Sequence, residues 1–170
     1  MDDVLKFIQT RRSIRQYRDT PVSAEQVETL LRAAMAAPSA GNQQPWAFVV
    51  IRERATLEKV HEFHPYAGPL RTAALGILVC GDLSREKYKG HWIQDCSAAT
   101  QNLLLAAAGI GLGTCWLGVH PQPEREAGCR KLLNLPKHVV PFAMVSVGVP
   151  DEEKGPADYY DPARVHHEMW

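Results

Sequence analysis

Apolar positions recur at helical spacing from the start of the chain. Val4, Leu5 and Ile8 share a face over residues 2–10, and Asp2 or Asp3 can serve the helix N-terminus. The pattern stops at Arg11-Arg12-Ser13-Ile14-Arg15-Gln16-Tyr17. Ser23-Ala24-Glu25-Gln26 reads as a capping box, with Ser23 capping the helix and Gln26 reaching back to it. It opens a helix to about Ala37 that places Val27, Leu30, Leu31 and Ala34 on one face, and Pro38 favours its end. Pro38 to Trp46 is a loop by composition. Ala47 to Ile51 reads as a buried strand, residues 56–63 as a short helix with Leu57 and Val60, and residues 64–70, with Pro65, Gly68 and Pro69, as a mobile loop. Ala73 to Cys80 is apolar on both faces, which predicts a central strand.

Residues 91–109 carry the strongest helical pattern, with Ile93, Ser97, Thr100, Leu104 and Ala107 marking a mostly buried, closely packed helix. Gly109-Ile110-Gly111-Leu112-Gly113 stops it. Thr114 to Leu117 is a short strand. Pro121 to Asn134 is an amphipathic helix with Glu124 and Glu126 where the dipole favours them. Val139 to Val149 is the last strand, and Pro141 should lie near its start or on an edge. Asp151 to Trp170 is charged, Tyr-rich and weakly periodic, an arm rather than a second domain. The order α-α-β-α-β-α-β-α-β predicts an α+β fold around a central sheet. With no repeat or linker, residues 1–170 read as one domain.

Composition narrows the function classes. A chain of 170 residues with 45% hydrophobic content can bury roughly 70% of its unfolded surface. Nineteen Lys+Arg balance nineteen Asp+Glu, which argues against a global nucleic-acid footprint. Cys80, Cys96, Cys115 and Cys129 form no C-x-x-C pair, so zinc-ribbon and thioredoxin-type chemistry are out. Met1-Asp2-Asp3 does not open a basic, then apolar leader, and the apolar stretches near 73–80 and 103–108 are too short for a bilayer. We expect a cytoplasmic protein without disulfides or membrane contact.

Four segments could carry chemistry. Arg11-Arg12-Ser13-Ile14-Arg15 sets three guanidiniums and a hydroxyl side by side, a combination that suits phosphate oxygens, although a charge run by itself usually faces water. In Pro38 to Trp46, the amides of Asn42, Gln43 and Gln44 beside small residues suit a planar heterocycle with imide and carbonyl edges. Gly109 to Gly113 superficially resembles a dinucleotide loop, but it follows a helix and opens a strand, the reverse of that fingerprint. Thr114-Cys115-Trp116-Leu117-Gly118 is a strand whose terminal glycine can bring backbone against a ligand. The histidines His61, His64, His166 and His167 lack metal-site spacing and read as solvent-facing, so no metal is expected. Cys96 reads as a small core residue, and no Gly-x-Ser-x-Gly or P-loop is present.

In combination these segments are far more specific. Arg-Arg-Ser-Ile-Arg-Gln-Tyr, Pro-Ser-Ala-Gly-Asn-Gln-Gln-Pro-Trp, Gly-Ile-Gly-Leu-Gly-Thr-Cys-Trp-Leu-Gly, Val-Ser-Val-Gly-Val-Pro and the tail Asp-Pro-Ala-Arg-Val-His occur in an order that resembles the FMN-dependent nitroreductase family over nearly the whole chain. The resemblance implies an α+β fold with a mixed sheet sandwiched by helices, built as an intertwined homodimer with FMN at the interface and the 151–170 arm on the partner. It implies that Arg11, Arg12, Ser13 and Arg15 bind the FMN phosphate, ribityl chain and ring edge, and that Arg164 is a second phosphate-binding arginine. Pro38, Ser39, Ala40, Asn42 and Gln44 match the loop that covers the flavin from the other protomer. Leu117 and Gly118 match the strand end near flavin N5. Tyr159 stands where a second basic tail residue is often found.

The implied activity is a ping-pong oxidoreductase. NAD(P)H passes hydride to flavin N5, then an electron-poor small molecule, nitroaromatic- or quinone-like, is reduced. The cofactor carries the chemistry and Arg15 adds charge near N1, so no side chain need be a nucleophile or dedicated acid. Substrate choice should lie in residues 61–72 and 84–92, with Phe63, His64, Tyr66, Tyr88, His91 and Trp92 as candidate walls. Two alternatives stay open: an FMN-binding sensor or store without turnover, and a same-fold enzyme for reductive dehalogenation or flavin fragmentation.

Overall fold

The computed structural model describes residues 2–170. The elements are α1 (Asp2–Thr10), α2 (Ala24–Met35), β1 (Trp46–Ile51), α3 (Arg54–Lys59), β2 (Leu75–Asp82), α4 (Trp92–Gly109), β3 (Gly113–Gly118), α5 (Pro123–Leu133) and β4 (Val139–Gly148), joined by loops and short 3-10 turns. The capping box forms as read: the Gln26 amide donates to Ser23 Oγ at 3.2 Å, and the Ser23 amide donates to Gln26 Oε1 at 2.9 Å. The α5 helix starts with Pro123 and stops at Asn134 in the left-handed region, φ 51°.

The strands form one sheet in the order β1-β2-β4-β3, and every neighbouring pair is antiparallel. This differs from the mixed sheet expected. Both chain-consecutive pairs, β1 with β2 and β3 with β4, return alongside themselves, and among the described residues parallel pairing enters only at the isolated Ser13–Thr114 bridge. The β2–β4 register slips between Val79 and Cys80. Pro141 faces Cys80 there, near the start of β4, so its missing N–H falls at an irregularity rather than in a regular ladder.

Helices cover both sheet faces. On one side α2 and α4 bury Leu30, Ala34, Cys96, Leu103 and Ala107 against Leu75, Ile77 and Val145. On the other, Leu57, Val60, Leu70 and Cys129 pack against Leu78, Leu117 and Met144. Both faces of β2 are therefore apolar, as a central strand requires. Residues 64–70 are not the mobile loop expected. Ala67, Pro69 and Leu70 are buried, and Arg54 donates to the carbonyls of Leu70, Arg71 and Ala73 at 2.6, 2.9 and 2.5 Å. A guanidinium from α3 takes up carbonyls that would otherwise need water. No helix among the described residues is long and apolar enough to cross a membrane.

Candidate functional site

The basic segment after α1 is stitched onto the sheet. The Ile14 amide donates to the Thr114 carbonyl at 2.9 Å, and the Arg18 amide donates to the Val149 carbonyl at 2.9 Å. Glycines admit both contacts: a Cβ on Gly113 would lie 2.8 Å from Ile14 Cβ, and one on Gly148 would lie 2.9 Å from Tyr17 Cδ1. The Tyr17 hydroxyl bonds the Ile14 carbonyl at 2.5 Å and Ser146 Oγ at 2.7 Å. Burial pushes the Tyr17 phenol well above its ordinary pKa, with the Ser146 bond opposing, so it remains a neutral brace.

On this brace Arg11, Arg12, Ser13 and Arg15 line one cavity of about 320 Å³, together with Lys154, Ala157 and Tyr159. Lys154 donates to the Ser13 carbonyl at 2.7 Å and pairs with Glu152 at 3.1 Å. Glu152 Oε1 accepts the Arg15 amide at 2.5 Å, and that N–H, followed by Lys154, holds the Glu152 carboxyl below its usual range. Arg12 donates to the Gly155 carbonyl. Among the described residues, the Arg11 and Arg15 guanidiniums make no ion pair and no hydrogen bond. The cavity therefore presents an excess of positive charge, which suits a multiply charged oxyanion.

The loop from Pro38 to Pro45 is held from within. Asp95, buried on the first turn of α4, accepts the Ala40 amide at 2.9 Å and Gln43 Nε2 at 2.6 Å. Gln43 Oε1 in turn accepts the amides of Lys87 and Tyr88 at 2.7 and 2.9 Å. Ser39 Oγ accepts the Gln44 amide at 3.0 Å, and Gln44 Nε2 donates to Asn42 Oδ1 at 2.9 Å. Gly41, Asn42 and Gln44 all take positive φ, near 50°.

At the far end of β3, the Gly118 carbonyl accepts two donors, His64 Nε2 at 2.9 Å and Arg125 Nη1 at 2.8 Å. A Cβ on Gly118 would meet nothing within 4 Å, so backbone is open there. His64 is 1% exposed and its Nδ1 accepts the Tyr66 amide at 3.3 Å, which leaves the proton on Nε2. Burial, then the nearby Arg125 charge, lowers its pKa. A model of the nitroreductase family matches residues 8–68 and 65–149 of this chain. The chain belongs to that family.

Similar proteins match nearly the whole of this chain. A protein of Methanothermobacter thermautotrophicus provisionally named NADH dehydrogenase/NAD(P)H nitroreductase is 49% identical, over 99% of this chain and 88% of that one. A solved structure from Parabacteroides distasonis with the same provisional name is 40% identical, covers 100% of both chains and has a TM-score of 0.95. A nitroreductase-type structure from Desulfovibrio desulfuricans, solved in complex with FMN, is 32% identical over 98% of this chain and 97% of that one, with a TM-score of 0.85.

Within this nitroreductase chain, Arg11, Arg12, Ser13 and Arg15 come together, whereas Pro38, Ser39, Ala40, Asn42, Gln44, Leu117, Gly118 and Arg164 do not line their cavity. Arg164 is exposed and pairs with Asp161 at 3.2 Å. The arm expected on a partner is bonded to its own chain as far as Ala157, whose amide donates to the Gln9 carbonyl at 3.0 Å; beyond it Tyr159, Tyr160, Met169 and Trp170 are exposed. Trp92, expected as a substrate wall, is instead buried, edge-on to His120 and Phe142 and over Gly81, whose missing Cβ leaves the slot. Phe63 packs over Gly128, while Tyr66 and Tyr88 are exposed, Tyr66 beneath the Arg125 guanidinium at 5.3 Å. His64 is not solvent-facing, because its two ring nitrogens find partners at Gly118 and Tyr66. Sequence reasoning missed Lys154, Asp95 and Arg125, each tied to a distant segment; the one available signal was a carboxylate on an otherwise apolar helix, Asp95.

Proposed function

We propose that this nitroreductase binds FMN as an intertwined homodimer and passes hydride from NAD(P)H to an electron-poor small molecule, nitroaromatic- or quinone-like, by a ping-pong cycle. The observation that carries this reading is the cavity where Arg11, Arg12, Ser13, Arg15 and Lys154 meet, pinned to the start of β3. A phosphate dianion suits that donor set, since three guanidiniums and an ammonium face one carboxylate, Glu152. From Thr114 to the open backbone at Gly118, β3 advances about 13 Å, at roughly 3.3 Å per residue. That span lets one strand serve both the phosphate and the ring of a nucleotide whose ends are joined by a sugar-alcohol chain.

Arg11, Arg12, Ser13 and Lys154 would hold the phosphate, Arg15 would set positive charge at the ring edge, and Leu117 and Gly118 would present backbone to the ring. Pro38, Ser39, Ala40, Asn42 and Gln44 would cover a partner's ring and exclude water from it. Arg164 would add a guanidinium once the arm from Asp158 onward is seated. When bound, FMN supplies a two-electron carrier between nicotinamide and acceptor. The protein's work is binding, orientation and charge, and no side chain is assigned as nucleophile or dedicated acid.

Exposed apolar surface supports the dimer. Val4, Leu5 and Ile8 are 65%, 59% and 45% exposed on one helix, and Trp170 is fully exposed. Surface of this kind marks an interface. The test is an absorbance spectrum of the purified protein with FMN, before and after anaerobic addition of NADH and then NADPH. The expected result is a bound flavin that bleaches and recovers on adding acceptor. A protein that refuses FMN overturns the cofactor assignment, and a flavin that stays oxidised overturns turnover.

A further inference from the structure

The Pro38–Pro45 loop and the segment leading into α4 lie far apart in sequence, yet one buried side chain joins them. Gln43 is 4% exposed and all its bonds are internal. Its amide nitrogen donates to Asp95 Oδ2 at 2.6 Å, and its amide oxygen accepts from the backbone of both Lys87 and Tyr88. Asp95 is itself 4% exposed, and its other oxygen takes the Ala40 amide at 2.9 Å. A second strut runs alongside, from Arg85 Nε to the Gln44 carbonyl at 3.1 Å. The Tyr88 ring occupies the space where a Cβ at Gly41 would sit.

The polarity of this arrangement is fixed. A carboxylate only accepts, so Gln43 must turn its nitrogen toward Asp95, which leaves its oxygen for the two backbone donors. The side chains of its neighbours Asn42 and Gln44 instead bond each other at the surface. A buried network of this kind is costly when half satisfied, so loop and segment move together or not at all.

We infer that Gln43 is a positioning residue that locks the Pro38–Pro45 loop to the segment bearing Tyr88, so that the two form a single wall selecting acceptors by size. This rests on the proposed function, in which that loop covers the flavin. The lock itself is made of hydrogen bonds within one protomer. A buried side-chain strut makes a firm wall from two short pieces of chain.

The test uses the purified full-length protein and three variants: Gln43→Leu, Gln43→Glu, and the double change Gln43→Glu with Asp95→Asn. Leucine removes the strut. Glutamate alone sets two carboxylates against each other. The double change reverses the donor and acceptor between the two positions and restores every bond, with the asparagine oxygen still taking the Ala40 amide. Amide hydrogen exchange is read at Lys87 and Tyr88. Both single variants are expected to speed it by about tenfold or more, the equivalent of one lost hydrogen bond, and the double variant to return it toward wild type. The ratio of kcat/KM for a bulky over a small nitroaromatic is expected to rise in both single variants and to fall back in the double one, a rescue that general destabilisation would not produce.

Unchanged exchange at Lys87 and Tyr88 in Gln43→Leu overturns the lock. Restored exchange without restored selectivity overturns its role in choosing acceptors. A wild-type flavin that neither NADH nor NADPH bleaches overturns the proposed function and the selectivity claim together, while the exchange measurement still decides whether loop and segment are locked.

Discussion

Arg11→Ala separates phosphate binding from folding at the cationic cavity. Among the described residues the Arg11 guanidinium bonds nothing within the chain, so removing it leaves no internal partner stranded. The stability of the cofactor-free protein should then stay within about 0.5 kcal/mol of wild type. FMN would lose one charge-assisted hydrogen bond, worth about 1.5–3 kcal/mol, which corresponds to roughly 10- to 150-fold in Kd. The residue is half-buried, so solvent and salt screen the charge and the lower part of that range is expected at physiological ionic strength. Flavin fluorescence quenching during FMN titration reads the Kd directly, and urea unfolding of the cofactor-free protein reads the stability. Arg32→Ala is the control: it removes the same formal charge from an exposed ion pair with Glu28 and should leave the Kd alone. Arg12→Ala should weaken FMN and also free the Gly155 carbonyl it holds, so it tests the same cavity with a structural cost added. An Arg11→Ala Kd within about twofold of wild type, or an equal loss in Arg32→Ala, would refute the placement of the phosphate.

Gly113→Ala should cost about 1–3 kcal/mol in urea unfolding and weaken FMN as well, because the new Cβ would meet buried Ile14 at 2.8 Å between two residues of the cationic cavity. A fully stable variant with unchanged FMN affinity would show that the Ser13–Arg15 segment does not depend on that contact. Burial lowers the His64 pKa, so the unfolded chain takes up a proton first and stability falls as pH drops below about 6.5, the ordinary histidine value. His64→Gln should lower stability at pH 7.5 yet flatten the slope between pH 7 and 5 by up to about 1.4 kcal/mol per unit, one proton's worth; an unchanged slope would reject His64 as its source, although His61, also lowered by burial, contributes with the same sign.

What could be read from the chain in advance is what local chemistry decides. The capping box before α2 acts within four residues, and Ser23 with Gln26 forms it as written. The Gly109–Gly113 run ends α4 and opens β3, the element order on which the reading against a dinucleotide loop was based, and Gly113 also admits Ile14. Strand order is different in kind. β4 inserts between β2 and β3, a choice made by which apolar faces pair over long sequence separations, and no local period encodes it. The 64–70 segment shows the same limit: its prolines and glycine predict a loop correctly, but its rigidity comes from Arg54, outside the segment.

The cationic cavity was legible because its cations are adjacent in sequence, and adjacency is what a motif records. Lys154 escaped because it arrives from the arm, and its value lies in bonds to Ser13 and Glu152 that only the folded chain creates. Trp92 misled for a related reason. An aromatic residue beside exposed polar neighbours looks like a ligand wall, yet whether it points in or out was set by Gly81, a residue on another element that vacates the slot. Gln43 combines both cases. Its type announced an amide for ligand recognition, while the fold spends that amide on Asp95, Lys87 and Tyr88. In this nitroreductase, then, the adjacent cations of the phosphate cavity could be read as a motif, whereas Lys154, which joins them from the arm, and Asp95, which holds the Pro38–Pro45 loop, come from distant segments. Asp95 and Gln43 act through a buried network of several hydrogen bonds that shares no residue with the phosphate cavity, so a change there is expected to alter the loop while leaving that cavity intact.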